Sequence, residues 1–237
     1  MLQKIVQRTA VGLLFASVAA VAAPTAKEIL ANARAYRATL SSYAFKAALY
    51  EDVVDDGKVV ETVKTDVDAK VKRPDRLRVD VKNKYKNRTS YLNNGLFTMV
   101  DHGYGYYGQL KTPKEIDKAL DFIFNKYGIN APLAAFLYTN MQKRTHFTKG
   151  KYFGTRDIGG VACDYVAFQS KGHELHLWIA QGEKPLVINF VLIDLSNPAK
   201  PKTSASLKWD TDAKFSDSIF TFVPSKGLHK IEVEPAN

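Results

Sequence analysis

Hydrophobic and polar residues alternate with two periods along the chain, and each change of period marks a predicted change of secondary structure. Residues 25–40 follow the helical period: Thr25 and Glu28 have capping-box spacing, and one face carries the apolar residues Ile29, Leu30, Ala33, Tyr36 and Leu40. From Tyr43 the period changes to two, the spacing of a β-strand with one buried face. Asp55-Asp56-Gly57-Lys58 then predicts a hairpin turn.

The period of two continues on both sides of a central helical stretch. Before that stretch we expect strands at 59–72, 77–82, 91–92, 96–100 and 104–110. After it we expect strands at 152–157, 161–169, 174–180, 186–194, 203–209 and 219–222. Short turns separate them, which predicts antiparallel hairpins with one solvated face.

The central stretch predicts two helices, which form a helical insert at 113–141. Thr112-Pro113-Lys114-Glu115 reads as a second capping box, followed by an apolar face that ends near Gly128. Pro132 would open a shorter helix, Leu133–Met141, that is apolar nearly all round. Such a helix is either deeply buried or covers an apolar site. The whole pattern predicts one α+β domain, residues 23–237, in which a single large sheet curls around helices.

The first 22 residues have the order of a secretory signal. Lys4 and Arg8 precede the apolar run Val11–Ala22, which ends in small residues and is too short to span a bilayer. We expect cleavage after Ala22, with an uncleaved anchor as the alternative. No cysteine follows the cut, so no lipid anchor is expected. The protein is therefore predicted to act in the periplasm.

Composition narrows the class of partner. The 237 residues are 46% hydrophobic and 24% charged, which excludes disorder as the main state. The 34 Lys and Arg against 24 Asp and Glu give a net charge of +10; losing Lys4 and Arg8 leaves 32 basic residues and a charge of +8. Nucleic acid is not an expected partner of an exported protein, so the surplus favours an anionic membrane surface or an acidic protein. The expected state is a monomer.

Catalytic and metal-binding patterns are weak in this sequence. His173-Glu174-Leu175-His176 lies in a predicted strand, where residues three apart point to opposite faces, so a solvated hairpin is favoured over a metal site. Cys163, the only cysteine, lies in an alternating strand and is interpreted as a buried structural thiol. We predict no enzyme activity, no metal and no cofactor.

Two surface patterns remain open. The hairpin Tyr104-Gly-Tyr-Tyr-Gly108 could line a ligand site or pack half-buried at a sheet edge. The run Lys70–Arg78 could bind an anionic partner, although a solvated strand face is the default for such a run.

Several motifs resemble one family. Val71-Lys-Arg-Pro-Asp-Arg-Leu-Arg78 is similar to a segment of the lipoprotein-localisation factor (LolA/LolB-like) superfamily of periplasmic carriers, and Leu92–Thr98 and Phe220–Pro224 agree with its later signatures. Lys126–Leu133, and Gly160–Tyr165 together with Trp178, resemble a subgroup of predicted periplasmic proteins catalogued as a domain of unknown function.

The resemblance implies an incomplete antiparallel β-barrel, a curled half-barrel with helices covering its mouth, whose apolar interior holds acyl chains. Arg73 matches the family arginine that holds the closed lid and couples to cargo. The helical insert and the Cys163 strand depart from the lipoprotein carriers, so the resemblance does not specify lipoprotein as the cargo. The residues predicted to contact ligand besides Arg73 are Tyr43, Phe45, Val63, Val67, Leu77, Val79, Phe97, Phe136 and Leu137.

These observations give two hypotheses about function. The first is a periplasmic carrier or binding protein for a lipid, an acyl chain or a lipoprotein-like ligand. The second is a lipid-responsive interaction or sensor module of the cell envelope, with a membrane protein as its partner and no transport role.

Overall fold

The computed structural model describes residues 23–131 and 133–236, and the predicted signal sequence, 1–22, lies outside them. Helix α1 spans Ala26–Thr39 and begins with the predicted capping box. The Thr25 hydroxyl accepts from the Glu28 amide at 3.2 Å, and the Glu28 carboxylate accepts from the Thr25 amide at 2.7 Å. Both exposed amides at the start of the helix are thereby satisfied.

Twelve strands follow α1 in the described part of the chain. The first six are β1 Ser42–Asp55, β2 Lys58–Lys72, β3 Arg76–Lys82, β4 Asn87–Asn93, β5 Leu96–Asp101 and β6 Tyr106–Lys111. The last six are β7 Lys149–Ile158, β8 Val161–Ser170, β9 His173–Ala180, β10 Val187–Asp194, β11 Lys202–Asp210 and β12 His229–Ile231. Asp56 and Gly57 at the β1–β2 turn have φ of 45° and 69°, as the predicted hairpin requires.

All twelve strands form one open sheet in the order β12-β6-β5-β4-β3-β2-β1-β11-β10-β9-β8-β7. Strand β1 joins its two halves, because it pairs with β2 on one side and with β11 on the other. The two edge strands, β7 and β12, do not pair with each other, so the sheet curls without closing. The predicted incomplete barrel is confirmed, with one difference: β12 runs parallel to β6, which makes the sheet mixed.

The core lies between one face of the sheet and the helices. α1 buries Ile29 and Leu30, and the second helix, α2 (Ile116–Tyr127), buries Ile116, Ala119, Leu120 and Ile123. These residues share one continuous apolar cluster with the inward residues of most strands. Among the described residues, no helix combines the length and apolarity needed to cross a membrane.

The second capping box was predicted wrongly. α2 begins at Ile116, after Glu115, and no side chain caps it. The Thr112 amide and hydroxyl both donate to the Gly95 carbonyl, at 2.8 Å and 3.3 Å, so Thr112 still belongs to the end of the β5–β6 hairpin. Because the Thr112 amide is paired with the Gly95 carbonyl, Thr112 stays with the hairpin, and the chain enters the helix three residues later than the pattern predicts.

The predicted helix Leu133–Met141 is also wrong. The structure has a 3₁₀ turn at Ala134–Phe136 and a short helix, α3, at Met141–Arg144. Leu133 adopts a left-handed conformation with φ of 58°, which an α-helix excludes. The carbonyls of residues 136–138 accept bonds from arginine and tyrosine side chains and so are not used in a helix.

The last predicted strand, Ile219–Phe222, is a 3₁₀ turn at Asp217–Phe220 that buries Phe220 completely. The Asp217 carboxylate fixes this turn against the sheet, at 2.6 Å from the Lys72 ammonium and 2.8 Å from Arg76. Burial of Phe220, together with these tertiary ion pairs, favours the turn over the strand that the apolar run predicts. The short strand β12, which the sequence pattern did not predict, follows it.

The capping box yields the first prediction. Thr25→Ala removes the acceptor for the Glu28 amide and should lower the free energy of unfolding by about 1 kcal/mol, equivalent to roughly 2–4 °C in melting temperature for a chain of this size. Thr25→Ser keeps the hydroxyl and should melt like the wild type. Equal melting of the alanine variant and the wild type would contradict this role for the box.

Candidate functional site

A cavity of about 620 Å³ lies beneath α1, on the C-terminal half of the sheet. We call it the main cavity. Its floor comes from β1 and β9–β11, and its roof comes from α1 and from residues 130–131 and 133–147, which we call the cover segment. None of the described residues of β2–β6 or of α2 borders it.

The floor consists of two rows of side chains that cross four strands. In one row the registers place Leu177, Phe190, Ala205 and Leu49 side by side, and all four are apolar. In the next row they align Leu175, Leu192, Thr203 and Glu51. The floor therefore changes from apolar to partly polar along the strand direction.

An aromatic cluster closes the apolar end of the main cavity. The Phe136 ring lies 5.7 Å from Trp209, 5.9 Å from Phe190 and 6.1 Å from Phe45, measured between ring centroids. The Trp209 indole donates to the Val187 carbonyl at 2.8 Å, which fixes the ring against the sheet. Phe136 thus belongs both to the roof and to the end wall.

The cover segment is held by side chains that bind its backbone. Arg37, which is only 5% exposed, donates to the carbonyls of Phe136 and Tyr138. The buried Tyr43 hydroxyl donates to the Phe136 carbonyl at 2.9 Å. Burial lowers the pKa of Arg37 and raises the pKa of Tyr43, so burial is the main perturbation at both groups.

Arg73, the arginine singled out by the family resemblance, binds the same segment from the β2–β3 turn. Its guanidinium donates to the Leu137 carbonyl at 2.5 Å and lies 3.4 Å from the Asp117 carboxylate of α2. The Arg73 side chain is 13% exposed. Three consecutive carbonyls, 136–138, are therefore bound by groups from α1, β1 and the β2–β3 turn.

Two carboxylates of α2 complete the anchorage. Asp117 accepts from the Thr139 amide at 2.9 Å and from its hydroxyl at 2.6 Å. Asp121 makes a two-pronged contact with Arg144, which lowers the pKa of Asp121. Burial, followed by the bond to Asp121, raises the pKa of Tyr138 to about 12. The Tyr138 hydroxyl therefore stays protonated and donates to Asp121.

Of the residues predicted to contact ligand, Phe136 borders the main cavity. Seven others lie in the packed core cluster: Tyr43, Phe45, Val67, Leu77, Val79, Phe97 and Leu137. Val63 is buried farther along β2, at 8% exposure. In this closed arrangement these eight side chains contact protein, and their contact with ligand stays a prediction.

The candidate metal-binding and catalytic residues, the His173–His176 segment and Cys163, lie in surroundings that give them structural contacts. His173 faces the main cavity, whereas His176 points to the outer face, where it contacts Glu174 at 2.7 Å and the Tyr165 hydroxyl at 2.8 Å. In the part of the chain that the structure describes, no group of three or more His, Cys, Asp or Glu residues is arranged to bind a metal. Cys163 is fully buried, and burial raises the pKa of its thiol.

The basic run Lys70–Arg78 forms ion pairs, and the tyrosine hairpin is partly packed and partly exposed. Within the run Lys70–Arg78, Lys70 and Arg78 pair with Asp80, Lys72 and Arg76 pair with Asp217, and Arg73 pairs with Asp117. In the tyrosine hairpin, Tyr107 packs on Phe222 at 4.8 Å, while Tyr104 is 74% exposed.

Sequence reasoning missed most of the cavity-lining residues. The alternation in β9 and β10 places Leu175, Leu177, Phe190 and Leu192 on defined faces, but it does not show which part of the sheet is left unfilled. That depends on where α2 and the cover segment pack, which is a property of the tertiary structure. Arg34 and Arg37 carried a weak signal, as cations close to the apolar face of α1.

A family model described as "Predicted periplasmic protein (DUF2092)" matches residues 26–234. The chain belongs to this family. The predicted resemblance to a periplasmic group of unknown function is thereby confirmed, and the description of the DUF2092 family agrees with the expected location. No curated protein matches the chain.

A solved structure shows that the fold recurs in another protein. An uncharacterized conserved protein from Thermus thermophilus is similar over 87% of this chain and 98% of its own, at 10% identity and a TM-score of 0.50. A LolA superfamily protein, NE2245 from Nitrosomonas europaea, covers 84% of this chain and 99% of its own, at 11% identity and a TM-score of 0.40. The MucA/MucB complex from Pseudomonas aeruginosa matches over 84% of this chain and 61% of that chain, at 9% identity and a TM-score of 0.44.

The anchorage of the cover segment yields the second prediction. Arg37→Gln removes charged donors from two buried carbonyls, and hydrogen bonds to charged groups contribute about 1.5–3 kcal/mol. We expect hydrogen exchange at residues 133–145 to speed up by roughly tenfold or more, measured by mass spectrometry, while the β1–β2 amides stay protected.

Arg88→Gln is the matched control, because its ion pair with Asp101 lies on β4 and β5, away from the cover segment. It should leave exchange at 133–145 unchanged. Wild-type exchange in the cover segment of the Arg37 variant would show that these bonds do not hold it closed.

Proposed function

We propose that this protein is a periplasmic carrier or binding protein for a lipid, whose acyl chain occupies the main cavity. The observation that supports this most strongly is an unfilled space of about 620 Å³ whose floor is apolar at one end, next to a continuous apolar core. This volume lies within the range of about 300–1,000 Å³ found for small-molecule sites.

The free energy available from such a site is substantial. Burying an acyl chain contributes roughly 0.8 kcal/mol for each CH₂ group, so a chain of about 14 carbons gains on the order of 10 kcal/mol. Ordering of the chain and movement of the roof offset part of this gain. We expect the remainder to allow reversible binding, which a carrier needs.

The cavity is partly open to solvent, since Glu51, His146 and His173 of its lining are exposed, and movement of the roof would widen this opening. The anchorage of the cover segment suggests how the roof could move. The main contacts that fix its middle part are side-chain hydrogen bonds and ion pairs from Arg37, Arg73, Asp117 and Asp121. In our proposal Arg73 holds the closed cover, and its release lets the chain enter beneath Phe136. Once the cover opens, Tyr43 and Phe45 become accessible, which would account for their predicted contact with ligand.

Export through a cleaved signal sequence at 1–22 belongs to the same proposal, as does the absence of a catalytic role. The alternative hypothesis, an envelope interaction module without transport, stays a prediction. Its partner would be a membrane protein of the envelope.

The third prediction tests the cavity directly with 1-tetradecanol, a neutral 14-carbon chain. Leu175 and Leu192 are cross-strand neighbours on the floor, and replacing both by tryptophan narrows the space. We expect the double variant to bind 1-tetradecanol at least about tenfold more weakly than the wild type, because excluding two CH₂ groups already costs that much.

The matched control carries tryptophan at Leu195 and Val161, which are exposed and lie outside the cavity lining. It should bind like the wild type. Native mass spectrometry of gently purified wild-type protein should also show bound lipid. A clean apo mass, with no rise in melting temperature on adding 1-tetradecanol or myristate, would refute the proposed function.

A further inference from the structure

The wall that α1 contributes to the main cavity carries two arginines that lack carboxylate partners. Arg34 and Arg37 lie one turn apart, and both border the cavity. The arginines that form ion pairs among the described residues are Arg73, Arg76, Arg78, Arg88 and Arg144. Positive charge without an ion-pair partner at the edge of an apolar space is costly, and a bound anion would relieve that cost.

The two arginines are not equally available to a ligand. Arg37 donates hydrogen bonds to the carbonyls of Phe136 and Tyr138. Arg34 is half-buried, and its one hydrogen bond within the described residues goes from Nη2 to the Thr145 hydroxyl at 2.6 Å. Its Nε and Nη1 donors therefore remain free for an acceptor.

Arg34 also lies where two cavities meet. A second space of about 510 Å³, the side cavity, lies between α1 and α3, and Arg34, Thr145 and His146 border both spaces. The side cavity adds Lys27 and Gln142 to its lining. Arg34 thus lies at the junction of the main cavity and a side cavity that contributes a further basic residue, Lys27.

Acidic residues are scarce on both linings. Within the described chain no Asp or Glu borders the side cavity, and the carboxylate that borders the main cavity is Glu51, in the floor row with Thr203. Burial lowers the pKa of Arg34, and the positive charge of Arg37 lowers it further. Arginine nevertheless stays protonated at neutral pH, so the net field at this junction is positive.

We propose that Arg34 binds the carboxylate or phosphate head group of an amphiphile whose acyl chain occupies the main cavity. This inference rests on the proposed function and narrows it from apolar ligands in general to anionic lipids. The planar guanidinium suits two-pronged binding of either head group. The head group lies at the junction, and Lys27 on the side-cavity wall adds positive charge.

The test compares myristate with 1-tetradecanol, which have the same chain length and differ in charge. Dissociation constants are measured by isothermal titration calorimetry at pH 7 and low salt. We expect wild-type protein to bind myristate roughly tenfold more tightly than the alcohol, since a hydrogen bond to a charged group is worth at least that factor. Arg34→Gln should abolish the preference and leave alcohol binding unchanged.

Two further variants separate charge from folding. Arg34→Lys keeps the charge and should retain part of the preference. Arg156→Gln removes an arginine on β7 that lies outside both cavities, and it should behave like the wild type. Inorganic phosphate at about 10 mM should not displace myristate, because binding of the head group depends on the attached chain.

Each outcome decides a different question. Equal affinity of wild-type protein for myristate and 1-tetradecanol would overturn the inference and leave the proposed function standing. If Arg34→Gln weakened the binding of myristate and of 1-tetradecanol by the same factor, the inference would also be overturned. Arg34-dependent displacement of myristate by phosphate would assign the junction to free phosphate and overturn the inference. Failure of both chains to bind would refute the proposed function and, with it, the inference.

Discussion

The contact on which the closed structure depends is the binding of three consecutive backbone carbonyls by buried cationic and phenolic groups. The carbonyls of residues 136–138 receive donors from Arg37, Tyr43 and Arg73, which come from three separate elements. A buried carbonyl without a donor costs free energy, and so does a buried guanidinium without an acceptor. The carbonyls and the donor groups satisfy one another, except that Arg73 Nε is buried without an acceptor, and the cover segment is fixed without forming a regular helix or strand.

This arrangement also determines where the cavity lies. α2 begins beside the β2–β3 turn, where the Ile116 amide donates to the Pro74 carbonyl at 2.9 Å, and its buried residues join the same apolar cluster as Leu77 and Phe97. The N-terminal half of the sheet is therefore filled. On the C-terminal half, α1 presents Leu30, the small Ala33 and two arginines, and this set leaves part of the apolar space unfilled. The main cavity is the volume that remains between them.

The elements that could be predicted from sequence are those fixed by local rules. The capping box at Thr25 and the Asp56-Gly57 turn depend on neighbouring residues, and the strands depend on a period of two, so all three are recognisable without a fold. The three wrong elements fail for one shared reason. Thr112 is engaged by Gly95, the 136–138 carbonyls by arginines, and Asp217 by Lys72 and Arg76, and each of these contacts is distant in sequence. The position of the cavity was unpredictable on the same ground, since alternation reveals the faces of a strand and not what packs on them.

The positive charges of the chain differ in whether they form ion pairs with carboxylates. A surplus of ten positive charges in the sequence suggests a basic surface, yet the most basic run, Lys70–Arg78, is largely compensated by Asp68, Asp80, Asp117 and Asp217. Compensated charges on an exposed strand attract a membrane or an acidic protein only weakly, because solvent and salt screen them. The arginines of α1 that border the main cavity are in the opposite situation. Arg34 and Arg37 are partly or fully removed from water without a carboxylate, so their field is screened much less and is directed into the space beneath the helix. If the proposed anionic ligand binds, this small number of buried charges would do more to select it than the larger surplus outside.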